Sequence, residues 1–136
     1  MAKTIAKILG VVFILVGLAG FIMPAFLGTH LSLAHNLVHL ISGALALYFG
    51  FSGSLSAARL FCIIFGVVYG LLGVAGFLLG HAGGPTSPGV PGPPSGAHFA
   101  VLPGALELGT MDHVVHILLG VLFLAGGLLT RVDRRD

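Results

Sequence analysis

The chain has 136 residues, enough for one domain, of which 57% are hydrophobic and 7% charged. Soluble domains typically hold about 45–50% and about 25%. Six Lys/Arg and four Asp/Glu cannot coat a water-soluble fold of this size, so the composition excludes an ordinary soluble domain and names lipid as the solvent.

The first apolar run covers 5–27, with Lys3 and Lys7 at its start. A cleaved leader is not expected, because Gly20, Phe21, Ile22, Met23, Pro24 and Ala25 make a poor small-residue cleavage site. The second run, 33–50, is the shortest and can recruit Phe51; Ser32 is placed to cap it. Arg59 sits in the short connection to the third run, 60–80, which carries the single cysteine, Cys62, read as a small apolar residue. Residues 81–110 are rich in proline and glycine (Gly83, Gly84, Pro85, Pro88, Pro91, Gly92, Pro93, Pro94, Gly96). Such a stretch buries too little apolar surface to fold alone and is expected to be a flexible outer loop. Its segment 99–108, apolar apart from Glu107, is expected to return to the membrane surface. Thr110 is the expected N-cap of the fourth run, 111–129, after which come Arg131, Arg134 and Arg135.

A hydrocarbon core about 30 Å thick needs about 20 helical residues, which every run meets or approaches. Helices are expected because lipid offers no partner for backbone N–H and C=O groups. With four spans, all six basic residues fall on one side, and His30, His81, His98 and Glu107 fall in the loops of the other. The positive-inside rule then puts both termini in the cytoplasm of a multi-pass protein of the cytoplasmic membrane. The basic residues form no face or stripe, which argues against nucleic acid. The expected partners are the lipid bilayer and a second copy or another membrane protein.

Residues 10–21 and 66–77 align without gaps, with eight of twelve positions identical. Residues 36–45 align with 113–122, sharing His-x-x-x-Gly at His39/Gly43 and His116/Gly120. The expected fold is therefore all-α: an integral membrane four-helix bundle built from two tandem helical hairpins related as a parallel repeat. Symmetry puts His39 and His116 at similar depth, roughly 8–9 Å below the outer boundary. Gly17, Gly20, Gly43, Gly66, Gly70, Gly73, Gly76 and Gly120 are read as packing positions, where small residues let helix backbones approach in lipid.

Polar groups within lipid are costly and usually face the bundle interior, which singles out His35, Asn36, His39, Asp112, His113 and His116. His35 and His39 are spaced i, i+4, as are Asp112 and His116. The leading expectation is that His39 and His116 hydrogen-bond across the bundle to each other, to Asn36, to Asp112 or to a backbone carbonyl. No cofactor is expected on that reading. The alternative is a haem- or metal-binding redox protein, with His39 and His116 as ligands and Asp112 orienting His116. A proton or solute path is the third. Tyr69 falls mid-span and should find a partner inside the bundle, whereas Tyr48 belongs at the cytoplasmic boundary. No phosphate loop, carboxylate pair or nucleophile elbow is present, so a non-enzymatic structural or interaction role leads.

Gly17-x-x-Gly20-Phe21, Asn36-x-x-His39-x-x-x-Gly43, Gly66-x-x-Tyr69-x-x-x-Gly73-x-x-Gly76 and Asp112-x-x-x-His116-x-x-x-Gly120 run in this order through all four spans. In these motifs the chain resembles a family of small bacterial membrane proteins grouped as domain of unknown function 4383. The resemblance implies a bacterial four-helix membrane protein and implies no activity. The stretch 83–96 looks longer than such proteins usually carry, and nothing is transferred to it.

Overall fold

The structure, a computed structural model, describes residues 1–92 and 94–133. Pro93 of the outer loop, and Arg134 and Arg135 of the orientation argument, lie outside the described residues. Among the described residues four α-helices form: α1 (Ala2–Ile22), α2 (Leu33–Phe51), α3 (Leu55–Leu79) and α4 (Thr110–Leu128). All four are long and apolar enough to cross a membrane.

The helix ends follow local chemistry. The first run continues apolar to residue 27, yet α1 stops at Ile22. Pro24 disfavours helical geometry at Met23, which adopts φ −130° and ψ 84°. A single 3-10 turn, Phe26–Gly28, then leads towards α2. The Ser32 hydroxyl accepts the His35 N–H at 3.3 Å, the expected cap, and α2 does take in Phe51. Helix α3 begins at Leu55, ahead of its apolar run, because the Ser54 hydroxyl accepts the Ala57 N–H at 3.1 Å. The cap expected at Thr110 is corrected. Gly109 is the N-cap, and Asp112, in the first turn of α4, accepts the Gly109 N–H at 2.8 Å. Thr110 is the first helical residue, and its hydroxyl pairs with that of Ser95 at 2.7 Å.

The all-α expectation is also corrected. The α3–α4 connection carries a three-stranded antiparallel sheet in the order β1 (His81–Gly83), β2 (Ser95–Leu102), β3 (Leu106–Leu108). The β2–β3 turn spans Leu102, Pro103, Gly104 and Ala105, closed by the Ala105 N–H on the Leu102 carbonyl at 2.9 Å. Gly104 has φ +77°, the left-handed position that a proline–glycine turn of this kind requires. The segment does not fold alone: β2 rests on α3 and α4 and caps the bundle end.

Helix α1 packs chiefly on α2, and α3 chiefly on α4; the α2–α3 seam is much sparser. Equivalent glycines make the close approaches. A Cβ at Gly10, Gly17 or Gly20 would meet Leu47, Leu40 or Asn36; one at Gly66, Gly73 or Gly76 would meet Leu124, Ile117 or His113. Gly43 abuts Ile14 and the Gly10 carbonyl, and Gly120 abuts the Gly70 backbone. Gly70 has room to spare: a Cβ there would meet only the Gly120 Cα, at 4.0 Å, an ordinary contact. The core between the hairpins is aromatic, with the Phe13 ring 5.1 Å from Tyr69, 5.5 Å from His39 and 6.0 Å from Phe123. Large apolar side chains such as Leu15, Ile41, Leu71 and Leu118 point outward. Lys3, Lys7, Arg59 and Arg131 lie at the end away from the sheet.

Candidate functional site: a histidine chamber under the cap

Where α2 and α4 approach the sheet, the bundle buries an unusual density of imidazole. His35 and His39 come from successive turns of α2, and His116 from α4. They are 2%, 4% and 2% exposed. Ring centroids lie 4.4 Å apart for His35–His39, 5.7 Å for His35–His116 and 6.4 Å for His39–His116. One ligand atom from each of the three can be chosen so that all lie within 4.8 Å of one another.

The rings meet without hydrogen bonds between them. Both nitrogens of His39, Nε2 of His35 and Nδ1 of His116 have no hydrogen-bond partner, and neither does Oδ1 of Asn36. The expected His39–His116 bond is therefore replaced by edge-on ring contact. A buried polar group left unpaired costs about 1–3 kcal/mol, so the chamber holds several unsatisfied nitrogens at appreciable cost.

Asp112 is organised differently from its i, i+4 spacing. Its Oδ2 accepts the backbone N–H groups of His30 at 3.0 Å and Gly109 at 2.8 Å. Its Oδ1 lies 3.9 Å from Nδ1 of His35, so the carboxylate addresses His35 and the α1–α2 connection rather than the His116 ring. Nδ1 of His35 also lies 2.8 Å from the His30 carbonyl. Because a carbonyl can only accept, Nδ1 carries the proton and Nε2 keeps its lone pair free. His113, fully buried, points the other way: its Nε2 donates to the Ala97 carbonyl of β2 at 2.5 Å.

A cavity of about 200 Å³ opens beside the imidazoles, lined by Val38, Ser42, Phe65, Tyr69, Leu106 and Leu108 as well as His35, His39 and His116. The expected partner of Tyr69 is present here: its hydroxyl is 2.9 Å from that of Ser42. On the other flank lies a small void of about 30 Å³, lined by Leu31, Val115 and Asp112 with His39 and His116.

The sequence reading missed the group that holds the cap. Glu107 is 2% exposed and sits on β3. Its carboxylate accepts the Thr86 N–H at 3.1 Å, the Thr86 hydroxyl at 2.5 Å, the Gly104 N–H at 2.8 Å and the Ser87 hydroxyl at 3.4 Å. Nε2 of His98 lies 2.8 Å away. Burial pushes the Glu107 carboxyl upward, but Thr86, Gly104 and His98 together outweigh it and hold the group at about 2. Burial likewise holds His30 below the ordinary imidazole value, against the upward pull of Asp112. The one available signal was Glu107 itself, a lone acid in an otherwise apolar stretch beside a Pro103–Gly104 turn.

Comparison with protein-family models, with curated proteins and with solved structures finds no match to this chain.

Proposed function

We propose that the chain is a multi-pass protein of the cytoplasmic membrane, both termini in the cytoplasm and the sheet on the outer side, with a non-enzymatic structural or interaction role. One observation carries the membrane orientation: Lys3, Lys7, Arg59 and Arg131 gather at the bundle end away from the sheet, and residues 81–110 hold no lysine or arginine. Charge moved into hydrocarbon is costly, and cytoplasmic loops retain the cations. The matched glycine contacts of the two hairpins support a duplicated origin, and they fall on the motifs that resemble domain of unknown function 4383.

Apart from the imidazoles, several potentially nucleophilic side chains are already engaged. The Ser42 and Tyr69 hydroxyls pair with each other, Thr86 binds Glu107, and the Cys62 sulfur faces the Ala2 carbonyl at 3.5 Å.

Thiol labelling in intact cells tests the reading. In a Cys62→Ser background, a membrane-impermeant maleimide should reach Pro91→Cys directly and Arg59→Cys only after permeabilisation. The reverse pattern overturns the orientation, and release of the protein by alkaline carbonate overturns membrane insertion.

A further inference from the structure

We propose that His35, His39 and His116 bind one divalent transition-metal ion, of the zinc or copper class, beneath the sheet cap. This goes beyond the structural role above and does not depend on which way the bundle is oriented.

The donor set comes first. Three imidazoles from two helices converge with ligand atoms within 4.8 Å of one another, each residue at least nine-tenths buried. Zinc–imidazole bonds of about 2.0–2.1 Å in a tetrahedron need nitrogens about 3.3 Å apart, so the ring nitrogens must draw together by up to about 1.5 Å to hold the ion. The unpaired nitrogens are the second observation. His39 has no partner on either side of its ring, and Nε2 of His35 and Nδ1 of His116 are equally free. A histidine that served only to join elements would use at least one ring nitrogen, as His113 does through Nε2 on the Ala97 carbonyl, whereas His39 uses neither.

The surroundings suit a cation. Nδ1 of His35 faces the His30 carbonyl at 2.8 Å, which fixes the tautomer that offers Nε2 outward. The Asp112 carboxylate, 3.9 Å from the same nitrogen, supplies a buried negative charge close to where a dication would sit. Backbone N–H groups of His30 and Gly109 hold that carboxylate in place.

The chemistry selects the ion. Magnesium and calcium prefer oxygen ligands, whereas imidazole suits zinc and copper, which stand high in the divalent affinity order. A haem held between His39 and His116 is disfavoured, because the His35 ring, 4.4 Å and 5.7 Å from the other two, stands where the macrocycle would pass. Three nitrogens leave one tetrahedral position, and the cavity of about 200 Å³ beside them has room there for water or a small ligand.

Calorimetric titration of the EDTA-stripped full chain in detergent with Zn²⁺, Cu²⁺ and Mg²⁺ tests the site. About one Zn²⁺ or Cu²⁺ should bind per chain, with no uptake of Mg²⁺. His39→Gln and His116→Gln should each weaken binding at least about tenfold, and the exposed His81→Gln should leave it unchanged. Should the chamber variants fail to fold, imidazole ¹⁵N spectra of the wild-type chain decide. Zn²⁺ should shift His35, His39 and His116 among the seven histidines. No binding, binding that survives both chamber substitutions, or shifts confined to His30, His81 or His98 would each overturn the proposal.

Discussion

The Asp112 carboxylate accepts the backbone N–H of His30 at 3.0 Å, a contact between residues 82 positions apart that ties the α1–α2 connection to the start of α4. Because the same oxygen accepts the Gly109 N–H, one side chain both starts a helix and joins the two hairpins.

Asp112→Ala leaves two buried backbone donors unpaired. Hydrogen bonds to a charged group contribute about 1.5–3 kcal/mol each, so the variant should lose at least about 2 kcal/mol. Thermal unfolding in detergent, followed by circular dichroism, measures it. A melting curve that overlays the wild type would remove Asp112 from its joining role.

The cap should be acid-sensitive in a defined direction. Glu107 is held at about 2 in the fold against an ordinary 4.5, so its contribution is complete above about 4.5 and disappears as pH falls through about 2. Wild-type melting temperature should therefore decline across that interval. Glu107→Gln should be less stable at neutral pH and should show a flatter decline. Parallel curves for the two proteins would assign the acid sensitivity to other groups.

Two neighbouring glycines should respond oppositely to the same change. A Cβ at Gly120 would lie 2.6 Å from the Gly70 nitrogen and 2.9 Å from the Gly66 carbonyl oxygen, backbone atoms that cannot move aside cheaply. Gly120→Ala should cost about 1–3 kcal/mol, as overpacking does. At Gly70 the nearest atom is 4.0 Å away, and Gly70→Ala should be neutral or stabilising, since alanine is the better helix former. Equal melting shifts would show that the α3–α4 contact is looser than described.

Tyr69→Phe removes one half of the hydroxyl pair with Ser42. Interhelical bonds of this kind contribute about 0.6–2 kcal/mol, and the double variant with Ser42→Ala should lose less than the sum of the single changes. Strict additivity in a double-mutant cycle would mean that the two hydroxyls do not depend on each other.

The helices were legible because an apolar run of spanning length has few alternatives, and errors arose at their ends. Apolarity carried the first run to residue 27, but the steric effect of Pro24 on Met23 ended α1 earlier. The sheet was hidden by the proline and glycine content of residues 81–110, read as too polar and too broken to fold alone. Its stability comes partly from outside that stretch, through contact with α3 and α4, and partly from within it, through Glu107 and its partners Thr86 and Gly104. His35, His39 and His116 were all visible as candidates, yet their mutual distances depend on how α2 meets α4, which no local pattern encodes. Spacing paired Asp112 with His116, whereas the carboxylate turns back to the Gly109 N–H, as acids in a first helical turn commonly do.

The looseness of the α2–α3 seam has a consequence for biogenesis. If the proposed insertion follows chain order, α1 and α2 pair as a unit before α3 and α4 are added. His35 and His39 then wait without His116, and with the cap not yet made. The trio forms only when the second pair docks, so any property it confers would mark completed assembly and be missing from a half-made chain.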